Sequence, residues 1–141
     1  MNMIILRENE IKLDTYLALR AAVNWKKLSR EQAELALDNA LYTVCAYDGE
    51  KAVGMGRIVG DGAVVVYVQD LIVLPEYQKM GIGKQLIEHL IEYVKGINQP
   101  GNEIMLCLMC AKGRESFYEK YGFISRPNDN LGPGMIQYIK E

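Results

Sequence analysis

The chain has 141 residues, 50% of them apolar and 24% charged, the size and composition of one domain with a real core. Intrinsic disorder, collagen-like repeats and a disulfide scaffold are excluded on those grounds. Sixteen Lys and Arg against eighteen Asp and Glu leave a formal charge of −2, so the chain lacks the basic surplus of a nucleic-acid binder.

Residues 3–6 predict a first strand and 11–25 a helix, with Leu13, Leu17, Val23 and the alanines at helical spacing. Ser29 followed by Gln32 matches a capping box and opens a second helix. Residues 41–47 and 52–59 read as antiparallel strands joined at Asp48-Gly49. Asp61-Gly62 repeats the turn signal before a Val- and Ile-rich strand at 63–74, which Pro75 ends. A helix from Gly81 to about Asn98 carries Ile82, Leu86, Leu90, Val94 and Ile97 in one stripe. The apolar run at 104–109 predicts a central strand covered on both faces. A short helix at 115–121 is capped by Gly122, and 123–125 and 135–140 predict closing strands around a loop at 126–134. No repeat or domain-scale linker interrupts this order, which predicts a single α+β domain over 1–141.

Cys45, Cys107 and Cys110 are an odd number among apolar neighbours, and no secretory apolar region precedes them, so a cytoplasmic location is expected. The apolar runs at 63–68 and 71–74, separated by Gln69 and Asp70, fall far short of the roughly 20 residues of a membrane span, so no membrane partner is expected. Cys107 and Cys110 have C-x-x-C spacing, but no second ligand pair exists, so no metal is expected. His89 lies off the stripe of its helix and reads as solvent-facing.

The most informative stretch is residues 73–84, where a buried strand stops at proline and a helix begins among glycines. A helix N-terminus presents unpaired N–H donors and about half a positive charge, and glycine lets an anion approach the backbone. Two other phosphate motifs fail: Lys84 is followed by Gln85 rather than Ser or Thr, and Leu86 stands where a third dinucleotide-loop glycine belongs.

Gln78-Lys79-Met80-Gly81-Ile82-Gly83 matches the [RQ]-x-x-G-x-[GA] signature in full, and Phe117-Tyr118 runs through Tyr121 into Gly122-Phe123. On these motifs and the order of elements, the sequence resembles the GCN5-related N-acetyltransferases over essentially the whole chain. The resemblance implies a three-layer fold, a mixed, mostly antiparallel sheet splayed between strands 4 and 5 and flanked by helices. It implies acetyl-CoA as co-substrate and transfer of acetyl to a primary amine by direct attack in a ternary complex. The N–H groups of Lys79, Met80, Gly81, Ile82, Gly83 and Lys84 would hold the pyrophosphate with help from Gln78. Leu71, Ile72 and Val73 would line the pantetheine, with a backbone N–H meeting the thioester carbonyl. Tyr118 looks like the acid that protonates the leaving thiolate and also contacts the cofactor.

Some relatives carry a glutamate where this chain has Tyr67, and others an acidic pair where it has Gln69-Asp70. Asp70 therefore reads either as the base or as a structural hydrogen-bonding residue, with Gln69 able to hold a water. Ala111 replaces an asparagine common in relatives, and Lys112-Gly113-Arg114 beyond it reads as phosphate contact or solvated helix start. Tyr16, Arg20, Asn24 and Trp25 are candidates for the acceptor side, Trp25 equally as a packing anchor. A small-molecule amine is the expected acceptor, with a CoA-sensing module or a peptide N-acetyltransferase as alternatives. A homodimer through the last strands is implied by resemblance alone.

Overall fold

The turn signals and strand formers up to Leu108 build one five-stranded sheet in the computed structural model, which describes residues 3–141. Four strands, β1 (Ile4–Glu8), β2 (Tyr42–Asp48), β3 (Lys51–Gly60) and β4 (Val65–Val73), pair antiparallel in sequence order. The fifth, β5 (Met105–Leu108), joins β4 in parallel. Gly49 takes φ +62° at the β2–β3 turn, a conformation glycine adopts without steric cost. At the next turn the Asp61 carboxylate accepts N–H groups from Ala63, Val64 and Val65 at 2.8, 2.8 and 3.0 Å, which delays the strand from residue 63 to Val65.

The first helix, α1 (Leu13–Ala22), is shorter than the periodicity of 11–25 predicts. Asn24 turns left-handed at φ 59°, and the Asn24 and Trp25 N–H groups bond back to the Ala21 and Arg20 carbonyls. Asparagine tolerates that conformation, so it terminates the helix as glycine would. The second helix, α2 (Arg30–Asp38), starts as expected, with Ser29 Oγ accepting the Gln32 N–H at 3.1 Å.

The long helix α3 (Ile82–Ile97) buries Ile82, Leu86, Ile87, Leu90 and Val94 against β2, β3 and β4. Its close approach depends on two glycines in β3. A Cβ on Gly54 would lie 2.8 Å from the Ile72 carbonyl oxygen, and one on Gly56 would lie 3.0 Å from Leu90 Cδ1. Alternate β3 residues, Met55 and Arg57, project from the other face, where Arg57 Nη1 donates to the Ala36 carbonyl of α2 at 3.1 Å. The sheet therefore lies between α1 and α2 on one face and α3 on the other.

A one-residue irregularity interrupts β4. Arg57 pairs with Asp70 and Ile58 with Val68, which leaves Gln69 without a partner on β3. Such a bulge re-aims the side chains that follow. Val68 shares the face of Ile58 toward α3, whereas Asp70, two residues on, shares the face of Arg57 toward α1.

Two expectations fail beyond this point. The continuous apolar run at 104–109 predicts a central strand, but among the described residues β5 is an edge strand paired with β4 alone, and Met105 is 53% exposed. An apolar run reports residues suited to burial and says nothing of how many neighbours the strand obtains. The segments 123–125 and 135–140 form no strands, and Met135, Ile136, Tyr138 and Ile139 are all exposed. Strand propensity is expressed only where an edge is paired, and these segments join no ladder among the described residues.

The chain divides into two compact units, Met1–Leu108 and Met109–Glu141. The second holds the short helix α4 (Glu115–Glu119), closed by Gly122 at φ 91° with its N–H on the Glu119 carbonyl. No helix among the described residues is long and apolar enough to cross a membrane.

Candidate active site

Pairing between β4 and β5 runs only from Val65–Met105 to Val68–Leu108, whereas pairing with β3 continues to Val73. The strands part at the bulge. From Gln69 to Val73 the edge of β4 is thus available to an extended ligand that hydrogen-bonds as a strand would, and Leu71 and Val73 are half-buried along it.

The chain leaves this edge through a single 3-10 turn at Pro75–Tyr77, pinned to the β2–β3 hairpin by the Tyr77 hydroxyl donating to Asp48 Oδ2 at 2.5 Å. Gln78 Nε2 donates back to the Val73 carbonyl at 3.1 Å. Lys79 and Gly81 are both left-handed, at φ 67° and 82°, and Gly81 caps α3. A positive φ is uncommon for lysine and costs strain that persists only where the surroundings impose it. A Cβ built on Gly81 would meet nothing within 4 Å, so the space above the turn is open. The Ile82, Gly83 and Lys84 N–H groups precede the first intrahelical bond, and the exposed Lys79 and Lys84 add positive charge. Open space, free donors and two ammonium groups fit a pyrophosphate.

On the opposite face a buried ionic cluster sits beside the bulge. Asp70 is 0% exposed. Its Oδ2 accepts the Tyr16 hydroxyl at 2.8 Å and Arg57 Nε at 2.6 Å, and its Oδ1 accepts Arg20 Nη1 at 3.3 Å. Tyr16 is also fully buried, and burial followed by the Asp70 charge raises its pKa, so its hydroxyl remains a donor. Arg20 continues outward, with Nη2 on the Lys26 carbonyl at 2.9 Å and its guanidinium 5.3 Å from the centre of the Trp25 ring. Trp25 is 37% exposed, Asn24 and Gln69 are exposed, and Arg20 is nearly buried.

Arg57 and the pair Gly54 and Gly56 escape sequence reasoning, although each leaves a trace. A lone arginine in an otherwise apolar strand implies a buried partner, and glycines two apart in a strand imply a close neighbour on one face.

In the second unit, the aromatic residues of the Phe117–Phe123 stretch pack on one another. Tyr118 meets Phe117 edge-on at 5.1 Å and Phe123 at 5.8 Å. Burial raises its pKa, with Cys110 adding to the effect and Arg114 opposing it. The hydroxyl is therefore protonated at neutral pH. Burial also raises Cys107 and Cys110, so both thiols are protonated and weakly nucleophilic. His89 is exposed, with Nδ1 2.9 Å from the Gln85 carbonyl of its own helix. No group of three or more His, Cys, Asp or Glu among the described residues is arranged to hold a metal ion.

The same architecture occurs in known proteins. A GNAT-family acetyltransferase from Streptococcus pneumoniae is 34% identical, with a TM-score of 0.83 over 99% of this chain and 100% of its own. An aminoglycoside N-acetyltransferase solved in complex with CoA shares the fold at 17% identity, with a TM-score of 0.71 over 99% of this chain and 96% of its own. The chloroplastic GCN5-related N-acetyltransferase 1 of Arabidopsis thaliana is 31% identical over 131 residues, 90% of this chain and 64% of the relative. The chain spans less than two thirds of the length of the curated relatives it matches first. The model of the acetyltransferase (GNAT) domain matches residues 38–125, which contain the whole β4 edge, the strained turn and the Tyr118 motif. With the fold, the parted strands and both motifs in agreement, the chain belongs to the GNAT acetyltransferase family.

Proposed function

We propose that this chain transfers acetyl from acetyl-CoA to the primary amine of a small molecule, by direct attack within a ternary complex. The observation that carries this reading is the parting of β4 from β5 after Val68, which leads directly into the left-handed turn at Lys79–Gly81. One groove then offers strand-like hydrogen bonds to a pantetheine along Leu71, Ile72 and Val73. It ends in backbone N–H donors suited to a pyrophosphate, with Gln78 holding the turn against Val73.

Acetyl-CoA, when bound, supplies the activated acyl group. The backbone N–H groups of the β4 edge orient its carbonyl and stabilise negative charge as it develops there. The Tyr118 hydroxyl donates its proton to the departing sulfur, as the motif implies; a protonated phenol with a raised pKa is a competent donor. The amine must lose a proton before attack. Gln69, exposed at the bulge, holds the water that receives it. Asp70 has its oxygens engaged by Tyr16, Arg57 and Arg20, and it acts as the anchor of the acceptor side.

Release of free thiol from acetyl-CoA across a panel of small amines tests the reading. Saturable release with at least one amine supports it. Specific acetyl-CoA binding with no release for any amine class overturns it in favour of a sensing module. Tyr118→Phe is expected to lower kcat by about 10²-fold with acetyl-CoA affinity little changed; unchanged turnover removes its role as acid.

A further inference from the structure

We infer that the acceptor amine carries an anionic group of its own, a carboxylate or a phosphate, received by the segment between α1 and α2 around Trp25. This rests on the acetyl-transfer reading above. Between Asp14 and Glu31 every charged residue is cationic: Arg20, Lys26, Lys27 and Arg30, in a chain whose net charge is −2. Two are already engaged, Arg30 by Asp14 at 2.8 Å and Arg20 by Asp70 at 3.3 Å. Lys26 and Lys27 are exposed, adjacent, and in no ion pair among the described residues. Two exposed, unpaired ammonium groups give the segment a local positive potential, which an anion bound there relieves.

The backbone that carries them is held in place. Arg20 fastens the Lys26 carbonyl and covers the Trp25 ring, and Asn24 is locked left-handed at the helix end. Pre-organised cations bind an anion at a lower entropic cost than cations on a flexible loop. Behind the platform, two guanidinium groups share the single carboxylate of Asp70, so one positive charge is left uncompensated, and Arg20 Nε is buried without a hydrogen-bond partner. The same positive field favours the neutral form of a nearby amine, the form that attacks. Because Arg20 joins the platform to Asp70 beside the bulge, a short molecule would place its anion at the lysines and direct its amine toward the β4 edge. Two free lysines are too few for a phosphate backbone, which favours a small anionic amine as the occupant.

The test uses matched amines with and without the anion: 4-aminobutanoate against butylamine, and 2-aminoethyl phosphate against ethanolamine. Trp25 is the only tryptophan, so its fluorescence reports occupancy without turnover. Titrations in the presence of CoA should show the anionic member of at least one pair binding about tenfold tighter, an advantage that weakens with added salt. The pair that shows it distinguishes carboxylate from phosphate. In Lys26→Glu/Lys27→Glu the advantage should collapse toward unity or reverse. Equal binding within both pairs overturns the inference, as does an advantage that survives in the double variant. If no amine releases thiol from acetyl-CoA, the acetyl-transfer reading fails by itself, and the fluorescence ratios still decide the anion preference.

Discussion

The two faces of the sheet are built on opposite principles. Toward α3 the contact is apolar and depends on what is missing, since Gly54 and Gly56 withhold side chains so that Leu86 and Leu90 approach the strand. Toward α1 and α2 the contact depends on what is present, a carboxylate surrounded by two guanidiniums and a phenol. The α3 side leads to the β4 edge and the Lys79–Gly81 turn, where the groups on offer are largely backbone. The α1 side leads to interlocked side chains, where a single change leaves a buried charge unpaired. In the proposed reading, the cofactor lies against the backbone-built side and the acceptor against the side built of side chains.

The largest test removes the centre of the polar side. Asp70→Ala leaves two buried guanidiniums unpaired and should cost about 3–5 kcal/mol, read from the urea midpoint. A midpoint close to wild type would mean that the cluster is solvated. On the apolar side, Gly54→Val drives a side chain toward the Ile72 carbonyl and should cost about 1–3 kcal/mol. Retention of full stability there would mean that α3 does not need its close seat. A smaller effect is expected at the turn. Gly81→Glu imposes a left-handed glutamate and brings like charge to the anion site, so acetyl-CoA binding by calorimetry should weaken at least tenfold, about 1.4 kcal/mol. Gly81→Ala keeps the strain and omits the charge; an equal loss in both would assign the effect to the backbone.

The gentlest test is alkaline pH. Burial raises the pKa of Tyr16 and Tyr42, and raises that of Tyr47 to about 12. The unfolded chain, with ordinary phenols near pH ~10, loses these protons first, so the unfolded state gains as pH rises. Stability should hold from neutrality to about pH 9 and decline from about pH 10 upward through the folded values. A urea midpoint that stays flat across that interval would falsify the burial of these hydroxyls.

What could be read in the sequence follows from the range of the forces involved. The Ser29 cap, the Asp48-Gly49 turn and the stripe of α3 are local, encoded within a few residues, and each formed as predicted. The GNAT signature is local too, since one turn and one helix start suffice to write it. The Asp70 cluster draws on residues 13, 50 and 54 positions away, and nothing near Asp70 announces Arg57, Arg20 or Tyr16. The edge position of β5 and the unpaired segments 123–125 and 135–140 fail for the same reason. Propensity describes a strand's own preference, whereas pairing is decided by distant chain.

The bulge at Gln69 also gives β4 two grammars. Before it, an even-numbered residue answers to α3; after it, an even-numbered residue answers to α1. Val68 and Asp70, of equal parity on one strand, therefore face different tribunals when they mutate. Any rule of tolerance that averages over the strand blends two unlike environments, and a deletion of Gln69 alone would restore the simple alternation with both insides kept: Val68 would still face α3, and Asp70, now its direct neighbour, would still face α1 opposite Arg57.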